Sequence, residues 1–369
     1  MGSIVSQLAC SPAPVVAIPV RNEEVLIGRC LLALAQQQGG GAPHVMLLLN
    51  NTTDETSSAA HDVASSMGLR LTVHHHIFPL AEQTAGHARR LVMQRAAATV
   101  QPGAALLCTD ADGQVAPDWL AANLFHIRHG ADAVAGRAII SPADAALIPT
   151  ALHAADALEC LYAALLDEIA SVLDPDPADP WPRHTEHSGA SICVKQDAYH
   201  RAGGIPAESL GEDRAFFQAL RAIDANIRHA PEVLVTVSGR ISGRAVGGMA
   251  DTIRRRLMRP DPFVDDALEP APDRVRRLRL RARFRHARTC PARMAGLAGD
   301  LCWPLDKLHG AASQPSFGAA WAMLENQCPG LAMRAVPTGD LEGQIAIASR
   351  FLSGVHRPVA PARYLTAAD

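Results

Sequence analysis

The chain has 369 residues, of which 48% are hydrophobic, and a formal net charge of −3 at pH 7. That length supports one large domain with an appendage, or two domains. A charge so near neutral gives no general attraction to nucleic acid, so no nucleic-acid partner is expected. The eight cysteines (10, 30, 108, 160, 193, 290, 302 and 328) show no C-x-x-C spacing, and several fall inside apolar runs. They read as reduced thiols of a cytoplasmic protein rather than a disulfide framework or a zinc site. The opening MGSIVSQLACSPAP lacks a basic, apolar leader, and no window of about 18 uncharged apolar residues follows, so a soluble protein is expected.

Taken in chain order, the first half alternates strand-like and helix-like segments. PVVAIPV (14–20), HVMLLLN (44–50), RLTVHHH (70–76), AALLCTD (104–110) and DAVAGRA (132–138) are short apolar runs suited to buried parallel strands. Helical stretches lie between them, from Glu23 to Gln38, Asp54 to Met67, Ala85 to Val100 and Pro117 to His129. Thr52, Thr53 and Asp54 are candidate caps for the second of these. The alternation predicts a Rossmann-like, mostly parallel twisted sheet flanked by helices, with ligands at the carboxyl ends of the strands. Three polar clusters fall at such ends: Arg21-Asn22-Glu23, Asn50-Asn51-Thr52 and Asp110-Ala111-Asp112. The last ends an apolar run with two carboxylates one residue apart. By itself it reads either as a surface turn or as a site for a hard divalent cation. The three histidines at 74–76 do not make a zinc site, because consecutive strand residues point to opposite faces.

The second half opens with the helical run ALHAADALECLYAALLDEIASVL (151–173) and the proline-rich DPDPADPWP (174–182). HSGASICVKQDAYHRAGGIP (187–206), SLGEDRAFFQALRA (209–222) and the strand-like IRHAPEVLVTVS (227–238) follow. A glycine-punctuated run (238–248) and a linker-like PDPFVDDALEPAP (260–272) precede DRVRRLRLRARFRHAR (273–288). This arginine-rich stretch reads as a strand with arginine on one face or as a helix ringed by charge. Its arginines would meet an anionic lipid, a phosphorylated acceptor, or internal acids such as Asp265, Asp266 and Glu269. Two units are expected: residues 12–253 around the sheet and a helical extension over 254–369.

Six motifs in this order resemble the family 2 glycosyltransferases of the GT-A fold: P-V-R-N-E-E (19–24), N-N-T-T-D-E-T (50–56), A-G-H-A-R-R (85–90), D-A-D (110–112), S-G-A-S-I-C-V (188–194) and G-E-D (211–213). The resemblance runs from about Val15 to Ile253. It implies a nucleotide-diphosphate sugar as donor, met by Pro19, Arg21, Asn22, Glu23, Asn50, Asn51, Arg89, Asp110 and Ala111. Where many members end the second strand on Asp, this chain has Asn50 and Asn51, which leaves the base open. The resemblance further implies Mn2+ or Mg2+ on Asp110 and Asp112, with His187 or His184 as a third ligand. Asp213 would be the base that deprotonates an acceptor hydroxyl, Glu212 its neighbour, and Ser188, Gly189 and Ala190 the acceptor-side wall. Glu23 and Glu24 have a second explanation as acids at a helix N-terminus, and Arg89 as part of a solvated face. Arg240 and Arg244 would reach the pyrophosphate or brace a glycine-rich loop.

The Q-x-x-R-W motif of processive synthases is absent, which points to single transfer by an enzyme at most peripherally associated with a membrane. Two competing classes remain. A nucleotidyltransferase would carry a glycine-rich basic loop where this chain has R-N-E-E. A catalytically inactive GT-A binding protein would have lost Asp110, Asp112 or Asp213.

Overall fold

The computed structural model describes residues 13–39, 41–240, 249–259 and 261–355. Eight strands, β1 (Val15–Val20), β2 (His44–Asn50), β3 (Leu71–His76), β4 (Ala105–Cys108), β5 (Gln114–Val115), β6 (Ala133–Ile140), β7 (Ile192–Lys195) and β8 (Ile227–Val237), form one sheet. Their order is β3-β2-β1-β4-β7-β6-β8-β5. The pairs β2–β3, β1–β2, β1–β4 and β6–β8 are parallel, while β4–β7, β6–β7 and β5–β8 are antiparallel.

Alternation along β1 shows why two layers of helix are needed. Val16, Ile18 and Val20 join a core with Ile27, Leu31, Leu34, Trp119 and Leu120. Val15 and Ala17 point the other way, into a core with Val92, Met93, Phe216 and Phe217. Helices Ile27–Ala35, Thr56–Met67 and Trp119–Arg128 therefore cover one face, and Ala85–Thr99 and Glu212–Ala222 the other. The α/β class and the flanking helices agree with the sequence reading.

One pairing differs from it. The run at 132–138 was expected to extend the parallel set, but β7 lies between β4 and β6 and is antiparallel to both. A strand buried on both faces has the same apolar pattern in either direction. The direction is set by the connection, here the helix Thr150–Leu173 and the loop after it.

The C-terminal region is helical and packs on the sheet unit. Tyr162, Leu166 and Ile169 of helix Thr150–Leu173 share a core with Val264, Leu268, Ala271, Leu278, Leu341 and Ala348. The stretch at 260–272, which reads as a linker, is thus anchored by Val264 and Leu268, and the Val264 N–H donates to Val336 O at 3.0 Å. A further core gathers Phe284, Leu297, Leu301, Trp303 and Trp321. Among the described residues no helix is long and apolar enough to cross a membrane.

The arginine-rich stretch is the helix Ala271–Ala287, and its charges face internal partners. Arg277 Nε lies 3.0 Å from both carboxylate oxygens of the fully buried Glu269. Arg281 and Arg285 close on Asp174, with their guanidiniums 5.1 and 4.5 Å from the Phe317 ring centre. Arg283 meets Asp300 at 2.5 Å, and Arg276 donates to Gly330 O at 2.6 Å. Asp265 and Asp266 were expected to serve this helix, but they pair with Arg214, at 3.0 and 2.7 Å.

Helix Phe317–Gln327 docks its N-terminus on the C-terminus of helix Glu212–Ala222. The Asp224 carboxylate accepts from Phe317 N and Gly318 N, both at 2.7 Å, and Ser316 Oγ donates to Ala222 O. The approach is so close that a Cβ on Gly318 would fall 1.7 Å from Arg221 O. Gly318→Ala is therefore expected to lower stability by about 1–3 kcal/mol. Gly343→Ala, in a helix where an added Cβ meets nothing within 4 Å, should raise it by roughly 0.5–1 kcal/mol. Calorimetric melting of both variants checks the pair. An unchanged Gly318→Ala melt would contradict the docked junction.

Candidate active site

The ends of β1, β2 and β4 and the start of helix Glu212–Ala222 open onto one cleft of about 2710 Å³. Of the residues singled out from the sequence, Pro19, Arg21, Glu23, Asn50, Arg89, Asp110, Ala111, Asp112, His184, His187, Ser188, Gly189, Ala190, Glu212 and Asp213 line it. Asn22 and Asn51 do not; their amides hold the backbone. Both lie at positive φ, 51° and 50°, where Asn is one of the few side-chain-bearing residues that fits readily. Asn22 Oδ1 accepts from Thr53 N at 2.8 Å. Asn51 clamps the peptide of Phe78, accepting from its N–H and donating to its C=O, each at 3.1 Å.

The first helix begins at Ile27 rather than Glu23, because the Glu23 C=O closes a turn onto the N–H groups of Leu26 and Ile27. Glu23 N donates to Thr56 Oγ1 at 2.8 Å, and Asp54 accepts from Thr56 N at 3.1 Å just before helix Thr56–Met67. The cap position of that helix is Glu55, which makes no side-chain capping bond, so none of Thr52, Thr53 and Asp54 is the cap. This bracing leaves the Glu23 side chain 5% exposed and turned toward Arg240. Arg240 grips Glu23 with both terminal nitrogens, one at 2.8 Å, and also lies 3.4 Å from Asp112. Burial first, and then the charge of Asp110, push the Asp112 carboxyl up to about 6. Glu23 adds to that rise and Arg240 opposes it.

A second guanidinium crosses the cleft wall. Arg89, only 5% exposed, donates to Asp110 Oδ1 at 2.6 Å and pairs with Glu212 through its other terminal nitrogen. Burial opposes its charge, but the neighbouring acids, Asp110 foremost, more than offset this and raise its pKa. Its plane passes over Gly189, where a Cβ would lie 2.2 Å from Arg89 Cζ. Arg89 is therefore an internal strut and not part of a solvated helix face. Next to it, Asp213 Oδ2 accepts from Gly189 N at 2.9 Å and Oδ1 from Arg214 N at 2.7 Å. Asp213 is half-buried at the head of its helix, and Gly211 at φ 74° makes the entry turn.

The residues present suit a hard divalent cation in charge and atom type. Asp110 and Asp112 supply oxygen ligands, and burial together with the charge of Asp110 raises Asp112, a cost that a cation there would offset. Among the described residues no group of three or more His, Cys, Asp and Glu forms a metal cluster. His187 and His184 have other partners. His187 stacks on Phe217, ring centres 4.6 Å apart, and its Nε2 lies 3.1 Å from His229 Nε2 and 2.9 Å from Arg221 Nη2. His184 Nδ1 accepts from Glu186 N at 3.1 Å.

The proline-rich loop contributes more than its composition suggested. Asp179 accepts from His229 N at 2.9 Å and pairs with His229 Nδ1 at 2.7 Å, Arg183 at 3.0 Å and Arg228 at 3.1 Å. Burial works to raise its carboxyl, but the His229 hydrogen bond and the arginines hold it down at about 2. Nothing in the sequence pairs Asp179 with His229 or Arg228, because they come from separate segments. Burial, above all, lowers the pKa of His184 to about 3, and it lowers those of His187 and His229 too. These histidines stay neutral in the fold while the unfolded chain takes up protons below about 6.5. Stability should therefore fall as pH drops below that value. For His184 the loss is about 2 kcal/mol at pH 5. Melting curves at pH 7.5 and 5.0 test this: His184→Gln should lose less than the wild type on acidification, and an equal loss would refute the assignment.

Residues 15–173 match the model of Glycosyl transferase family 2. No curated protein matches the chain. Similar solved structures include a mannosyltransferase from Pyrobaculum calidifontis in complex with GDP-Man and Mn2+, at 19% identity and TM-score 0.46, covering 95% of this chain and 89% of that one. The 1–349 portion of S. aureus TarS in complex with UDP-GlcNAc is 15% identical at TM-score 0.45, covering 93% and 92%. Glucosyl-3-phosphoglycerate synthase from Mycobacterium tuberculosis is 16% identical at TM-score 0.38, covering 70% and 81%.

Proposed function

We propose that this chain, whose residues 15–173 belong to glycosyl transferase family 2, moves one sugar per encounter from a nucleotide-diphosphate donor to an acceptor hydroxyl, inverting the anomeric carbon. The observation that carries the reading is the joint that one arginine makes between two acids, beside a third. Arg89 ties Asp110 at the end of β4 to Glu212, while Asp213 in the next position is fixed by Gly189 N. Donor-side and acceptor-side carboxylates are thereby held across one cleft.

In this reading the nucleotide lies along Pro19, Arg21, Glu23 and Asn50, and its diphosphate points at Asp110 and Asp112. A divalent cation, Mn2+ or Mg2+, bound by those two carboxylates supplies a Lewis acid against the charge that grows on the leaving diphosphate. Arg240, already between Glu23 and Asp112, offers a planar guanidinium to the same oxygens. Asp213 takes the proton of the acceptor hydroxyl. The freed oxygen attacks the anomeric carbon from the side opposite the diphosphate, so a C–O bond forms there as the bond to phosphate breaks. Two backbone N–H groups hold the Asp213 carboxylate in place, whereas Glu212 is occupied by Arg89. This division favours Asp213 over Glu212 as the base.

Calorimetry with UDP and GDP, in Mn2+ and in EDTA, tests the donor half. Affinity for the nucleotide that binds should fall sharply in EDTA, and equal affinity in both would refute a cation on Asp110 and Asp112. The acceptor half rests on Asp213→Asn, which keeps the side-chain size but removes the proton acceptor. Transfer should drop by about 10²–10⁴-fold with nucleotide affinity retained. NMR of the product reports the anomeric outcome as well. A retained configuration, or a near-normal rate in Asp213→Asn, would mean a different base or mechanism.

A further inference from the structure

Arg221 stands at the last turn of helix Glu212–Ala222, which carries Asp213 in its first turn, and it is the odd one among its neighbours. Around it in the cleft, Arg183 is held by Asp179, Arg214 by Asp265 and Asp266, Arg274 and Arg277 by Glu269, and Arg281 and Arg285 by Asp174. Arg221 makes no ion pair among the described residues. Its polar contact is a neutral ring, with Nη2 at 2.9 Å from His187 Nε2.

That contact is itself contested. His229 Nδ1 lies 2.7 Å from Asp179 and carries the proton of that bond, so His229 Nε2 is left to accept. The atom facing it at 3.1 Å is the same His187 Nε2. If His187 donates to His229, it has no lone pair there for Arg221. If it accepts from Arg221, then His229 Nε2 goes without. Asp179, the nearest acid in this cluster, is already shared among Arg183, Arg228 and His229.

Arg221 is exposed by surface area, yet protein crowding is the foremost cause pulling its pKa down to about 10. Arg281, Arg183 and Arg274 add to that pull. Arg221 is thus reachable from the cleft, with the guanidiniums of Arg183, Arg274 and Arg281 also lining it. It also faces the reaction. The segment 187–189 touches Arg221 through His187 and Asp213 through Gly189. Arg221 follows Asp213 by eight residues on the same helix, about 12 Å along its axis. Helical side chains also lean toward the N-terminus, here toward Asp213.

From this geometry we propose that Arg221 is an anion subsite for the acceptor: the acceptor is a small soluble hydroxyl compound bearing a phosphate or a carboxylate. The anion occupies the guanidinium that the protein leaves without a carboxylate, while the hydroxyl reaches Asp213. The inference rests on the transferase reading for the word acceptor, but the anion site itself does not.

The test uses the full chain and inorganic phosphate, followed by 31P NMR titration, with acetate in a parallel titration read by calorimetry. Phosphate or acetate should bind the wild type and bind Arg221→Gln about 10-fold or more weakly, the loss expected for a charge-assisted pair. Arg221→Lys should fall between them, since it keeps the charge but not the fork. Affinity for UDP or GDP shows that each variant is folded. A second arm offers pooled nucleotide sugars with hydroxyl compounds in phosphorylated, carboxylated and neutral forms, with products read by mass spectrometry. The charged forms should be glycosylated in preference to the neutral ones. Equal anion binding by wild type and Arg221→Gln, or neutral acceptors used as well as their charged counterparts, would overturn the proposal. Arg221-dependent binding to phosphatidylglycerol vesicles without binding to inorganic phosphate would also overturn it, by moving the anion to a lipid. If neither UDP nor GDP binds while phosphate binding still depends on Arg221, the transferase reading fails and the anion subsite stands.

Discussion

The site depends on one buried guanidinium. Arg89 joins Asp110, Glu212 and the backbone at Gly189, three points from three separate segments of the chain. A charge this enclosed is tolerated only when paired. Both terminal nitrogens of Arg89 meet a carboxylate, while its Nε has no hydrogen-bond partner among the described residues. Removing one partner of such a group typically costs about 3–5 kcal/mol, because the other charge stays behind without compensation. The pairing gives the protein position more than stability. Asp110 is fixed at the end of β4, and the helix carrying Asp213 is fixed relative to it. Gly189 is part of the same constraint, since any side chain there would meet the guanidinium plane.

That constraint explains why so many acids coexist in one cleft. Glu23, Asp110 and Asp112 repel one another, as the raised carboxyl of Asp112 records. Arg89 and Arg240 each hold two of the cleft's acids and set the spacing of the rest. Without them the strand ends at 21–24 and 110–112 would have to separate or stay protonated. The same logic, with the sign reversed, holds on the far side. There the arginines of helix Ala271–Ala287 crowd together because Asp174 and Glu269 lie among them.

Much of this was legible in the sequence, and the reason is periodicity. Apolar runs ending in R-N-E-E, N-N-T-T and D-A-D placed β1, β2 and β4 within a few residues, because a strand end buried on both faces leaves little freedom. What periodicity carries no information about is direction and partner. The reversed β7 has the same apolar pattern as a parallel strand. Asn22 and Asn51 looked like ligand contacts because they sit at strand ends, yet their positive φ and their bonds to Thr53 and Phe78 give them a backbone task. From proline and charge alone, 174–182 looked like an irregular loop and 260–272 like a linker. Each is pinned by a few residues, Asp179 in one and Val264 and Leu268 in the other, whose partners lie tens of residues away.

The arginine-rich stretch shows the same limit in its sharpest form. Along 273–288 eight arginines are met by a single acid, Asp273, so a local window leaves open whether they face an anionic surface or acids from elsewhere. The acids come from elsewhere: Asp174 from the end of a helix a hundred residues earlier, Glu325 from a helix that follows, and Glu269 from the segment just before. With these in place most of the run's arginines are paired, while Arg221, far from it, is left facing a histidine. A guanidinium open to the cleft thus stands where the sequence shows an unremarkable F-Q-A-L-R-A helix end. The exposed charge in a fold is what remains after internal pairing, so it is set by tertiary contacts and not by local composition.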